Sequence, residues 1–99
     1  DTDGGGNELV SLFGQLQSSD RNERLAAAER IGEITWDDPS AVAAEPLAEA
    51  IDTEQDAEVR EALVVAIGSI DSEAAEDALK EARFDPNPNV SSRASHLLQ

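Results

Sequence analysis

The chain has no cysteine, no methionine and no tyrosine, and only one histidine, one tryptophan and one lysine. Each shortage closes a route. Without cysteine there is no disulfide, no thiolate metal site and no sulfur nucleophile. A lone His96 cannot supply a two-histidine metal site, and no catalytic set forms around it, so it reads as an exposed helix residue. No apolar run approaches the roughly 20 residues that span a bilayer, and no signal peptide opens the chain. Gly4-Gly5-Gly6 follows no strand and has no lysine nearby, which excludes a phosphate-binding loop. The missing methionine, initiator included, points to a processed chain or a piece of a longer one.

What is abundant is acid. Twenty-two Asp and Glu stand against seven Lys and Arg in 99 residues, a formal charge of -15. Such a field repels nucleic-acid phosphates and anionic lipid, so the expected partner is another protein, with a basic surface. Helix-spaced Ala, Leu, Ile and Val bring the hydrophobic fraction to 39%, so the chain is expected to fold. The same composition fits a cytoplasmic protein adapted to high salt, where hydrated carboxylates replace lysines. Asp37-Asp38 and the run Asp52 to Asp56 can attract cations. However, D-T-E-Q-D lacks the glycine and terminal glutamate of a calcium loop, and neither a metal nor a cofactor is expected. Glu29/Glu33, Glu45/Glu49, Glu73/Asp77 and Asp77/Glu81 are like-charge i,i+4 pairs, which predicts a fold that loosens at low ionic strength.

The chain is organised by a repeat. DRNERLAAAERIGEI, Asp20 to Ile34, aligns with DAEVREALVVAIGSI, Asp56 to Ile70, at an offset of 36. Asp20/Asp56, Arg24/Arg60, Ala26/Ala62, Ile31/Ile67, Gly32/Gly68 and Ile34/Ile70 coincide. Leu47 aligns with Leu79 at an offset of 32, and Val59 with Val90 at 31. The four-residue excess in the first spacing is the stretch Thr35-Trp36-Asp37-Asp38, read as an inserted loop that ends a helix. A period in this range is the mark of stacked helical units.

Taken in order, residues 1–6 are an acidic glycine-rich leader, and residues 7–99 form one domain in three helix pairs, about 7–35, 38–69 and 72–99. Asn7 is expected to cap the first helix, with Leu9, Leu12, Phe13 and Leu16 on one face. Asp20 with Glu23 resembles a capping box. Asp38-Pro39 opens a third helix, with Val42, Leu47 and Ile51 on its stripe, and Pro46 demands a kink or a late start. Asp56 starts the fourth helix, Asp71-Ser72 the fifth, and Asn87-Pro88 the sixth. The sixth helix has no successor to cover Leu97 and Leu98, so it either docks back on its neighbour or pairs two chains through this end.

The tract D-A-E-V-R-E-A-L-V-V-A-I-G-S-I-D, followed by S-E-A-A-E-D-A-L, resembles the HEAT-like repeats grouped with phycobilisome lyases. The resemblance runs from about Asp20 to Gln99 and weakens in the last unit, where Ser91 stands at the position of Arg60. It implies an all-α fold: a short α-solenoid of about six helices in three antiparallel hairpins, of the HEAT/ARM type. In such repeats a loop aspartate and the arginine four residues on often bond between neighbouring units, which would give Asp20, Arg24, Asp56 and Arg60 an inter-repeat role. Iron-binding relatives use repeated His-Glu pairs, whereas His96 is followed by Leu97. DNA-glycosylase relatives need a cationic groove that this charge opposes.

Two functions follow as expectations. The first is a non-enzymatic interaction or scaffold module with a concave face lined by the second helix of each pair. Glu45, Glu49, Glu76, Lys80 and Glu81 are its candidate contacts for a basic ligand. Trp36 is a candidate anchor, unless it folds back over Ile34 and Pro39. The alternative is a bilin-lyase-like accessory acting on a chromophore protein, for which the chain offers no catalytic set.

Overall fold

A computed structural model describes residues 4–38 and 43–98, with side chains from Glu8 onward. The described residues hold six helices: α1 (Gly4–Gln15), α2 (Arg21–Asp37), α3 (Ala44–Thr53), α4 (Ala57–Gly68), α5 (Glu73–Ala82) and α6 (Pro88–Leu97). Consecutive helices pack as the hairpins α1/α2, α3/α4 and α5/α6, and the second helices stack in the order α2, α4, α6. The first helices make the other layer, where α3 packs on α5. The resulting slab measures 40 × 30 × 17 Å.

The helix starts follow from side chains that satisfy otherwise unpaired N–H groups. Asp56 accepts from the amides of Glu58 (2.9 Å) and Val59 (3.1 Å). Ser72 accepts from Ala75 at 3.1 Å, and Asn87 from Asn89 at 2.9 Å, with Pro88 just inside the helix. Asp20 caps α2 through the amide of Asn22 at 3.0 Å, but the expected box with Glu23 is replaced by a relay. The amide of Asp20 donates to the Ser18 hydroxyl, which itself donates to Glu23.

Two boundaries differ from the sequence reading, and a third decides between the alternatives left open for Pro46. α1 begins at Gly4, so Asn7 lies inside the helix rather than at its cap; its side chain, with residues 1–3, falls outside the described residues. Pro39 and Val42 also lie outside them. α3 starts late, at Ala44, which places Pro46 in the first turn, where its missing N–H costs nothing. The stretch Thr35-Trp36-Asp37 is not a loop: it extends α2 beyond the point at which α4 stops.

Core positions follow the helical stripes. Leu12, Leu16, Ala27, Ala28, Ile31, Leu47, Ile51, Leu79, Val90 and Ala94 are buried. α4 is buried on a wider arc, through Val59, Leu63, Val64, Ala66 and Ile67, because it touches α2, α3, α5 and α6. Each fully buried Leu or Ile contributes about 1.5–3 kcal/mol of transfer free energy. At the far end, Leu97 packs against the backbone of Gly68: a Cβ there would come within 2.8 Å of it. α6 thus docks back on its neighbours, and Leu97 and Leu98 join the edge of the core.

Candidate functional site

The two edges of the α2/α4 pair are built differently, and together they fix the surface between them. At the N-terminal edge, the arginine four residues past each cap reaches both backward and forward. Arg24 donates from Nη1 to the Ser18 carbonyl (2.9 Å) and from Nε to the Glu54 carboxylate (3.0 and 3.2 Å). Arg60 repeats this, from Nη1 to the Glu54 carbonyl (3.1 Å) and from Nε and Nη2 to Asp85 (2.8 and 3.0 Å). Glu54 and Asp85 each sit two residues before a cap and accept the amide of the cap residue as well. Their side chains are only 5% and 9% exposed. Burial raises the pKa of Asp85, but the Arg60 hydrogen bond and the Asn87 amide outweigh it and hold the carboxyl below its ordinary value.

The inter-repeat ladder therefore exists with a different set of acids from the expected one. Arg24 and Arg60 are its rungs, but they meet Glu54 and Asp85 rather than Asp56 and a successor. The cause is geometric: the carboxylates of Asp20 and Asp56 are turned inward to cap their own helices. Asp56 still reaches across units by accepting from Arg21 Nε at 2.9 Å, and Arg21 also donates to Glu58. The Arg21 bond, followed by the Val59 amide, lowers the pKa of Asp56. Asp20 has only its capping role among the described contacts.

At the C-terminal edge the joint is neutral. Thr35 is fully buried and donates to the carbonyl of Ala66 at 3.1 Å. It accepts from the hydroxyl of Ser69, also at 3.1 Å. This pair holds the additional turn of α2 against the end of α4.

The additional turn carries Trp36. The indole is 79% exposed, so it does not fold back over Ile34. It stands at one end of a groove of about 750 Å³ between α2 and α4. Leu25, Ala28 and Gly32 from α2, with Ala62 and Val65 from α4, supply its apolar lining. Val65 is 42% exposed although it lies on the most buried helix. Glu29, Glu33 and Asp37 border the groove on α2, and Glu58 and Glu61 on α4. Three arginines serve this border. Arg30 bonds Glu8 (2.7 and 3.1 Å) and Glu33 (2.9 Å), Arg21 bonds Asp56 and Glu58, and Arg93 reaches Glu61 at 3.4 Å. The Arg30 hydrogen bond lowers the pKa of Glu8, and the bonds to Glu8 and Glu33 raise that of Arg30. With Glu29 and Asp37 added, three guanidiniums face seven carboxylates, so the border stays acidic.

The other expected contact residues lie elsewhere. Glu45 and Glu49 are exposed on α3, and Glu76, Lys80 and Glu81 on α5. These are first helices of their hairpins, on the layer away from Trp36, although Glu76 borders a cleft with Gly68 and Leu97 at the ends of α4 and α6. Glu81 borders a different cleft, of about 650 Å³, between α3 and α5, and Lys80 approaches Glu76 at 3.9 Å. The groove residues Leu25, Ala62 and Val65 escaped the sequence reading because ordinary core positions look the same. His96 is exposed on α6. Among the described residues no three His, Asp or Glu side chains gather as metal ligands, and no helix is long and apolar enough to cross a membrane.

Paired helices, stacked in register and joined by one recurring arginine–acid rung, define a helical-repeat protein. A family model described as HEAT repeats matches residues 9–99, and the chain belongs to that family. HEAT repeats generally mediate protein–protein interaction, and the family is generally one of non-enzymatic scaffolds. No curated protein shows significant sequence similarity to the chain.

Proposed function

We propose that this chain is a non-enzymatic interaction module that holds a partner protein in the groove between α2 and α4. The observation that carries this reading is Trp36: a large aromatic side chain left 79% exposed at the end of an apolar groove. Phe84 is as exposed but borders no apolar groove among the described residues, whereas Trp36 is continuous with one, and tryptophan is among the residues that dominate binding energy at interfaces. The groove also exposes Val65 and carries acidic residues on both borders, which supports a bound polypeptide over a small apolar ligand. Glu45, Glu49, Glu76, Lys80 and Glu81 then belong to a solvated outer layer.

The test places a photo-crosslinking amino acid at position 36 or, as a control, at position 10, where Val10 is equally exposed on α1. In extracts of the source cells, one discrete protein adduct is expected from position 36, and Val65→Asp should abolish it. Equal adducts from both positions, or an adduct indifferent to Val65→Asp, would remove the groove from consideration.

A further inference from the structure

We infer that the occupant of the α2–α4 groove is a basic amphipathic helix of about three turns, seated with a lysine or arginine over Trp36. This rests on the groove reading above and adds the chemistry of the partner.

The length comes from α2. Leu25 to Trp36 spans the groove, and at about 1.5 Å per residue this is roughly 16 Å, or three helical turns. The lining positions Leu25, Gly32 and Trp36 repeat at helical spacing, with Ala62 and Val65 facing them from α4. Two stacked helices leave a furrow that takes the ridge of a third, and Gly32 and the alanines keep the floor low enough for close approach. A helix in this furrow presents one apolar ridge downward and two flanks sideways: the α2 flank meets Glu29 and Asp37, with Glu33 shared with Arg30, and the α4 flank meets Glu58 and Glu61, which are shared with Arg21 and Arg93. Flanks of lysine or arginine are the complement.

The end at Trp36 is the most specific part. Glu29, Glu33 and Asp37 share its end of α2, and neither Glu29 nor Asp37 is tied to an arginine among the described contacts. A cation on the indole face is attracted by the ring and by those carboxylates together. A second copy of this chain is a poor occupant, since each copy carries a charge of -15.

The experiment uses the whole chain and three synthetic helical peptides without tryptophan. The first has a leucine ridge and lysine flanks, the second the same ridge with glutamine flanks, and the third the lysines without the ridge. Binding is read by calorimetry and by the emission of Trp36, the single tryptophan, for the native chain and for the doubly substituted Glu29→Lys, Asp37→Lys variant. Both substituted residues are exposed, and circular dichroism verifies that the variant keeps its helicity.

The lysine-flanked ridge should shift Trp36 emission to the blue and bind about tenfold or more tighter than the glutamine-flanked one. That advantage should vanish in the variant and shrink as salt rises from roughly 50 to roughly 500 mM. Equal binding of the glutamine-flanked ridge, with the same emission shift, overturns the basic partner and leaves the groove standing. No binding by any of the three also overturns the helix inference, while crosslinking at position 36 still decides the groove. Tight binding of the lysine-flanked ridge that leaves Trp36 emission unchanged and survives Val65→Asp overturns both.

Discussion

α2 and α4 begin as copies and end as different objects. Both open on an aspartate cap, carry an arginine four residues later, bury an isoleucine at the same register and reach a glycine after it. α4 stops at Gly68, and its next residues turn toward α5. α2 runs past Gly32 for five more residues, because Thr35 finds hydrogen-bond partners at the end of α4. One buried hydroxyl thus converts an insertion into helix and lifts Trp36 to the mouth of a groove. The shared segment supplies the stack, and the unshared segment supplies the feature that distinguishes this surface from its neighbours.

Core truncation gives the largest test of how equivalent the two helices are. Ile31→Ala and Ile67→Ala both empty fully buried sites and should each cost about 2–5 kcal/mol in denaturant unfolding. Ile67→Ala should cost about 1 kcal/mol more, since α4 has neighbours on both sides and less room to collapse around the cavity. Equal losses would show that α2 is as central as α4.

Next come the rungs. Arg24→Ala and Arg60→Ala each strand a nearly buried carboxylate and should each cost about 2–4 kcal/mol. Glu54 contacts both arginines, through its carboxylate and its carbonyl. The double variant should therefore depart from the sum of the singles by about 0.5 kcal/mol or more, and strict additivity would separate the rungs. The pH dependence has a definite sign. The pKa of Asp85 is depressed in the fold, so its contribution is complete above the ordinary aspartate value of 3.8 and disappears as pH falls through the lower folded value. In Arg60→Ala the carboxyl loses the bond that offsets its burial, so the gap between native and variant stability should be widest near neutral pH and narrow as pH falls toward and through that range.

Thr35→Val keeps the shape of the side chain and removes the hydroxyl joint, at an expected cost of about 1–2 kcal/mol. The same change should fray the last turn of α2, seen as faster amide exchange at Trp36 and Asp37 with the rest of α2 unaltered. Uniform exchange along α2 would mean that Thr35 does not hold that turn.

The smallest effects come from the two aligned glycines. At Gly32 a new Cβ meets Ala66 at an ordinary 3.7 Å, so Gly32→Ala should stabilise by about 0.5–1 kcal/mol through helix propensity. At Gly68 the Cβ would press on Leu97, and the gain is spent on moving that side chain. A raised thermal midpoint for Gly32→Ala beside an unchanged or lowered one for Gly68→Ala would confirm that the aligned positions have diverged.

Much of the fold is legible in the chain because its signals are local and repeated. The 3.6-residue stripes place α2 to α6, and the caps at Asp20, Asp56, Ser72 and Asn87 fall where short polar side chains precede apolar runs. The start of α1 is not legible, since glycine has no propensity for a helix and Gly4 to Gly6 give no hint of one. The ladder is half legible: its arginines recur in the alignment, whereas its acids are one Glu and one Asp in loops of unequal length. Of the groove, Trp36 stands out by rarity. Its floor does not, because Gly32, Ala62 and Val65 look like any interior residues until the neighbouring helix leaves them partly uncovered. Glu45, Glu49, Glu76, Lys80 and Glu81 stand out by charge alone, which cannot tell one layer of a stack from the other.

The contrast between the two edges of the α2/α4 pair has a mechanical consequence. The helices run parallel, tied at one end by carboxylates and guanidiniums and at the other by two hydroxyls. Acid weakens the first tie through Asp56, which accepts from Arg21 across the pair, and leaves the second untouched. Loss of the first tie alone would leave α2 and α4 fastened at Thr35 and Ser69, so the channel below Trp36 would widen from its far end.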